Sequence, residues 1–162
     1  MKTTGERAVT IGPETPRQAD AARLIGELDA YFTRLYPPES NHLLDIEALC
    51  APEIRFFVAR LDGEALGCGA LRVDQAGYGE VKRMYVVPAA RGRKLGRSIL
   101  LRIEGEARAS GLACLRLETG IHQSEALALY RSAGYRERGP FGDYRHDPLS
   151  IFMERDLATE AT

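Results

Sequence analysis

Residues 86–97 read VVPAARGRKLGR. A run of β-branched residues stops at Pro88, a turn rich in arginine and glycine follows, and a regular apolar spacing then begins. Leu95, Ile99, Ile103 and Ala107 recur every four residues with Leu100 beside them, and Gly111 closes the pattern. That spacing predicts an amphipathic helix from Leu95 to about Gly111. The preceding EVKRMYVV, residues 80–87, reads as a strand. A strand that turns through a basic loop into a helix brings unpaired N–H groups and the positive end of the helix dipole to one place. Glycine there lets a ligand come close to the backbone. The arrangement suits a phosphate or pyrophosphate. It is neither a GxxxxGK[ST] loop nor a GxGxxG fingerprint.

The elements on either side fit one mixed α/β domain over residues 1–162. RAVTIGP at 6–12 predicts a first strand. Thr15, Pro16 and Gln18 predict a capped helix start. Leu24, Ile25, Leu28, Tyr31, Phe32 and Leu35 give that helix an apolar face, and Pro37-Pro38 ends it. A short helix is expected around Leu43–Leu49. IRFFVARL at 54–61 and Ala65–Val73 form a hairpin about Asp62-Gly63. Beyond the central helix, CLRLE at 114–118 reads as a buried strand, Ser124 to Ala133 as a second amphipathic helix and Ser150 to Leu157 as a last strand. A short strand near Tyr135 and a polar, aromatic loop at 139–147 lie between them.

Composition narrows the function. The formal net charge is -1, so no overall basic field points to a nucleic-acid partner. Cys50, Cys68 and Cys114 show no CxxC pairing and no metal-ligand spacing with histidine. No metal site is expected, and Cys68 and Cys114 read as core residues. Neither a signal peptide nor an apolar run of about 20 residues is present. The expectation is a cytoplasmic monomer or homodimer that does not bind membranes.

Arg91-Gly92-Arg93-Lys94-Leu95-Gly96 resembles the acetyl-CoA motif [RQ]xxGx[GA] of the GNAT acyltransferase superfamily, with Lys94 at the place of the first motif glycine. QSEALALYRSAGY at 123–135 resembles the later motif of the same family, NxxAxxLYxxxGF. Two motifs in the right order identify the chain as a member across roughly residues 6–157. Local stretches such as PPESNH at 37–42, GCGAL at 67–71 and LETG at 117–120 resemble a bacterial small-molecule-type subgroup.

The resemblance implies a mostly antiparallel central sheet flanked by helices, and a reaction moving acetyl from acetyl-CoA to a primary amine. It places the cofactor on Arg91, Gly92, Arg93, Lys94, Leu95, Gly96, Arg97, Gln123 and Ala126. The backbone of Met84, Tyr85 and Val86 would hold the pantetheine arm. Tyr130 is the expected general acid for the departing thiolate. Glu80, at the start of the strand before the loop, is the expected general base, since a partly buried carboxylate works nearer neutral pH. Glu118 reads equally well as structural or catalytic. His42, Glu39, Arg34, Arg83, Tyr144 and Asp147 are the expected acceptor contacts, and their mixed charges suit a small zwitterion such as an amino acid. The acceptor could otherwise be a lysine or N-terminus of a protein, or the chain a non-catalytic acyl-CoA-binding module.

Overall fold

A computed structural model describes residues 8–40 and 45–157. Seven strands form one sheet in the order β1-β2-β3-β4-β5-β7-β6. They are β1 (Val9–Pro13), β2 (Ile54–Leu61), β3 (Glu64–Val73), β4 (Tyr78–Val86), β5 (Cys114–Gly120), β6 (Arg136–Arg138) and β7 (Ser150–Asp156). Every pairing is antiparallel except β4 with β5. That parallel step requires a crossover, which the central helix α3 (Leu95–Ala109) supplies. Residues 62 and 63 turn the β2–β3 hairpin with positive φ at both positions, as a tight two-residue loop demands.

Alternation along the strands splits the core between the two faces of the sheet. Phe57, Leu71, Val81, Leu115 and Leu117 pack with Ile99, Leu100 and Ile103 of α3 and with Leu127 and Tyr130 of α4 (Ser124–Ser132). Phe56, Val58, Cys68 and Ala70 face the other way. They meet Leu24, Ile25 and Leu28 of α1 (Ala19–Leu35) and Leu49 of α2 (Ile46–Leu49). On the α3 side, Glu104 accepts the Tyr135 hydroxyl at 2.8 Å and pairs with Arg155 at 2.8 Å, which satisfies a carboxylate that is 1% exposed.

The start of α1 differs from the sequence expectation. Its N-cap is Gln18, whose side chain makes no capping bond. Thr15 instead folds a local turn, accepting the Arg17 N–H on its hydroxyl at 3.2 Å. The Gln18 side chain bonds Glu14, so the two residues expected to form a capping box are engaged elsewhere. Strand β4 begins at Tyr78, two residues before the expected start at residue 80, because Tyr78–Val81 already pairs with Cys114–Leu117.

Candidate active site

The site begins where two parallel strands part. Pairing of β4 with β5 runs only from Tyr78↔Cys114 to Val81↔Leu117. Just beyond, Arg83 takes φ 58°, and the β3–β4 register shifts between Cys68 and Ala70. This bulge turns β4 away from β5. From residue 82 onward the β5-facing edge of β4 has no strand partner. Its backbone groups and those of residues 118–120 therefore face a gap between the strands.

On the α3–α4 side the gap opens into a cleft of about 790 Å³. Met84, Tyr85, Val86, Arg91, Gly92, Lys94, Leu95, Gly96, Arg97, Gln123, Ala126 and Tyr130 all line it. Arg93, which is exposed, is the one expected cofactor residue that does not. Neither Lys94 at the head of α3 nor Gln123 at the head of α4 caps its helix with its side chain. Two helix N-termini thus present uncapped N–H groups to one cleft, with Arg91 and Arg97 beside them. Lys94 adopts φ 61°, ψ 23°, the left-handed conformation for which glycine is the easy choice. The lysine keeps the turn that the motif glycine would make. Tyr85 offers the cleft only part of itself. Its hydroxyl donates to Glu27 of α1 at 2.9 Å, and burial together with that carboxylate pushes its pKa up to about 12.

On the α1 side lies a smaller cavity of about 60 Å³. Its walls include Phe32 and Tyr36 from α1 and its C-cap, Glu80, Lys82 and Arg83 from β4, Glu118 from β5, and Tyr144 from the loop before β7. Lys82 Nζ donates to Glu80 Oε2 at 3.1 Å and to the Tyr144 hydroxyl at 2.9 Å. That hydroxyl donates to Glu80 Oε2 at 2.5 Å, closing a triangle. Burial, and then the charge of Glu80, pushes the Tyr144 phenol well above its ordinary range. Arg83 reaches Asp29 of α1 at 2.6 Å. Ser40 donates to Asp147 at 2.7 Å, clipping the turn after α1 to the loop before β7 above the cavity.

Four residues line both spaces: Leu28, Met84, Gln123 and Tyr130. Tyr130 is 5% exposed, and no described residue is hydrogen-bonded to its hydroxyl. Burial, followed by the charge of Glu118, raises its pKa well above the ordinary phenol value. Its hydroxyl is thus a buried polar group at the junction of the two cavities.

Among the expected acceptor contacts, Arg83 and Tyr144 line the inner cavity. Glu39 and Arg34 do not. Both are exposed, because the end of α1 and the turn after it direct Tyr36 and Ser40 inward instead. Asp147 is not in the cavity wall; it accepts the Ser40 hydroxyl and the Leu149 N–H at 2.8 Å, and both of those residues line the cavity. His42 lies outside the described residues. Sequence reading missed Phe32, Tyr36 and Lys82. The alternation of Glu80 and Lys82 on one strand face was the available signal for Lys82, since residues two apart on a strand share a side. Cys68 is the core thiol expected: burial pushes its pKa up to about 12, and it donates to the Arg83 carbonyl. Among the described residues no cluster of histidine, cysteine and carboxylate side chains could hold a metal, and no helix is long and apolar enough to cross a membrane.

Comparison with known proteins gives the lineage of this geometry. Residues 21–135 match the family described as Acetyltransferase (GNAT) family. An IAA acetyltransferase of Azospirillum brasilense is 57% identical over 150 residues, covering 92% of this chain and 98% of the relative. The uncharacterized N-acetyltransferase YsnE of Bacillus subtilis is 38% identical over 92% of this chain and 99% of its own length. The crystal structure of a Klebsiella pneumoniae protein described as an acyl-CoA N-acyltransferase superposes with a TM-score of 0.79 at 40% identity. It covers 92% of this chain and 97% of the other.

Proposed function

Since the chain belongs to the GNAT family of acetyltransferases, we propose that it moves the acetyl group of acetyl-CoA to the primary amine of a small molecule, an amino acid or an amino-acid-like compound. The observation that carries this reading is the meeting of two unequal spaces at Tyr130. The large cleft has the uncapped helix ends and basic residues that a pyrophosphate requires. The small cavity has the carboxylates, cations and aromatic walls of a site for a small charged molecule. Acetyl-CoA supplies an acetyl thioester activated for attack by nitrogen.

In this reading Arg91, Arg97 and the first turn of α3 hold the pyrophosphate, with Lys94 beside them. The open edge of β4 at Met84–Val86 pairs with the pantetheine arm, and an N–H there polarises the acetyl carbonyl. Gln123 fixes the end of β5 by accepting the Gly120 N–H at 2.8 Å. Tyr130 returns a proton to the departing thiolate, for which its unpartnered hydroxyl is placed. A carboxylate of the inner cavity takes the proton of the incoming ammonium. Because the Ser40–Asp147 bond bridges the cavity, a small acceptor is favoured over a peptide, which needs an open groove.

The test is release of CoA thiol from acetyl-CoA with free amino acids, polyamines, aminoglycosides, peptides and IAA, the compound in the Azospirillum relative's name. Turnover with a free amino acid or another small amine is expected. Turnover confined to peptides would make the chain a protein acetyltransferase. Acetyl-CoA binding with no turnover on any acceptor would make it a binding module.

A further inference from the structure

Lys82 is the first β4 residue beyond the pairing with β5, which ends at Val81↔Leu117. It lines the inner cavity, and its side chain is 10% exposed. An ammonium carries three protons and no lone pair. Nζ gives one proton to Glu80 Oε2 at 3.1 Å and one to the Tyr144 hydroxyl at 2.9 Å, and it stands 5.5 Å from that ring's centroid. No described residue takes the third. A buried cation with an unspent proton is costly unless an acceptor oxygen meets it. Glu80 does not claim the whole of that cation, since its Oε2 also accepts the Tyr144 proton and its Oε1 lies 3.9 Å from Arg72.

The cavity has two ends. Leu28, Met84, Gln123 and Tyr130 also line the cleft, so an acetyl group held in the cleft meets the attacking nitrogen there. Glu80, Lys82, Arg83, Glu118 and Tyr144 line the inner cavity alone. What the acceptor carries besides its amine faces this second set. The cavity of about 60 Å³ takes only a few groups of water size, which sets the amine and any second polar group about one or two carbons apart. Glu80 and Glu118 repel an anion. Arg83, with a side chain 2% exposed, is committed to Asp29 at 2.6 Å. Lys82 is the remaining cation of the wall.

Resting on the acetyl-transfer reading above, we propose that Lys82 determines acceptor specificity by donating its third proton to a carboxylate on the substrate, so that small α- or β-amino acids are acetylated in preference to plain amines. Such a bond is charge-assisted, and the low dielectric of a closed cavity strengthens it. A zwitterion also brings its own counter-charge, so the net charge of the cavity does not change when it fills.

The test measures thiol release from acetyl-CoA with three matched pairs: glycine and methylamine, alanine and ethylamine, serine and ethanolamine. The second member of each lacks only the carboxylate. The proteins are wild type, Lys82→Met, Lys82→Arg, Glu80→Gln and the double variant Lys82→Met/Glu80→Gln, each checked by a melting curve. The readout is the ratio of kcat/KM for the amino acid to that for its plain amine. Comparing this ratio between proteins cancels the different basicity of the two amines. Wild type should favour the amino acid, and Lys82→Met should lower the ratio about 10- to 100-fold, the span of a hydrogen bond to a charged group. Lys82→Arg, which keeps the charge and the donors, should retain part of the preference, and Glu80→Gln should retain it whole. If Lys82→Met does not fold, the double variant carries the same expectation, because Glu80 no longer leaves a buried charge without its cation. Wild type using the plain amine as readily as the amino acid in every pair, or a ratio unchanged by the loss of Lys82, would overturn the assignment. Wild-type protein inert toward all six compounds would overturn the small-amine reading on which it rests.

Discussion

The outer cleft and the inner cavity share four residues and are built by different means. The cleft is largely backbone: two uncapped helix starts, a left-handed turn at Lys94 and the free edge of β4. The cavity is side chains contributed from α1, β4, β5, α4 and the loop before β7. The first kind of site survives many substitutions, because any residue that keeps the turn keeps the N–H groups. In the second, each contact depends on one side chain arriving from a distant segment, so small changes propagate. Substitutions at the boundary between the two give the sharpest tests of this contrast.

The largest effect is expected at Gly120, the last residue of β5. A Cβ there would overlap the Tyr36 hydroxyl and also crowd Gln123. Tyr36 is 5% exposed and accepts the His122 N–H at 3.1 Å, so α1 is locked onto the end of β5. Gly120→Ala should cost about 3 kcal/mol of stability, the upper end of ordinary overpacking, and should deform the cavity more than the cleft. Denaturant melts of Gly120→Ala, Tyr36→Ala and the double variant check this. The double variant should be less unstable than the sum of the singles, since the clash disappears with the ring. Strict additivity would show that Tyr36 does not hold the boundary.

Tyr130→Phe comes next, because it removes only the hydroxyl shared by both spaces. The rate of acetyl transfer should fall about 10²-fold, equivalent to about 2.7 kcal/mol in the barrier. Acetyl-CoA affinity measured by calorimetry should stay within about twofold, since the backbone of the cleft is untouched. An affinity loss as large as the rate loss would mean that Tyr130 belongs to the cleft alone.

The same contrast explains what could be read from the sequence. The strand–turn–helix at 80–111 and the motif at 123–135 are local, so the family resemblance they carry could name residues that line the cleft, and of those expected only Arg93 is absent from its wall. The residues of the inner cavity come together through tertiary contacts with no fixed spacing. Tyr36 was legible as the end of a helix but not as the partner of Gly120, 84 positions away. Glu39 and Arg34 were chosen for their charge and their place after α1. The structure exposes Arg34 in the last turn of α1 and Glu39 in the turn after it, and buries Tyr36 at the extended C-cap between them. Glu80 was located correctly on its strand, but its bonds to Lys82 and Tyr144 depend on a loop 64 residues away.

Gly96→Val should have a middling effect, by a route that local sequence does not suggest. A Cβ on Gly96 would lie 3.3 Å from a Leu129 methyl of α4 and 3.9 Å from Val86. The substitution therefore wedges α3 from α4 instead of filling the basic turn directly. With two further methyl groups to place, the cleft should widen and acetyl-CoA affinity should fall about tenfold, or about 1.4 kcal/mol. Gly96→Ala should lose less than about threefold, as its single methyl needs only a few tenths of an ångström of relief. Calorimetric titration with acetyl-CoA checks both, and equal affinities in all three proteins would show that the spacing of the helices does not set the cleft.

The smallest effect, opposite in sign, is expected at Lys94. An L-residue held at φ 61°, ψ 23° carries a backbone cost of roughly 1–2 kcal/mol that glycine escapes. Glycine also brings a freer unfolded chain, worth roughly 0.5–1 kcal/mol in the other direction. Lys94→Gly should therefore stabilise the fold by about 0.5–1 kcal/mol, raising Tm by roughly 1–4 °C for a chain of this size. Lys94→Ala removes the same charge but keeps a Cβ, so it should leave Tm near the wild-type value. If the ammonium also reaches a phosphate, both variants should bind acetyl-CoA a few-fold more weakly, and more so at low salt, where charge attraction is least screened. The pair of variants thus separates the turn from the charge. A Tm gain shared by both substitutions would mean that the lysine charge, repelled by its arginine neighbours, was the destabilising feature. A gain in glycine alone, with affinity unchanged in both, would mean that the chain tolerates a strained turn there without using the charge to hold acetyl-CoA.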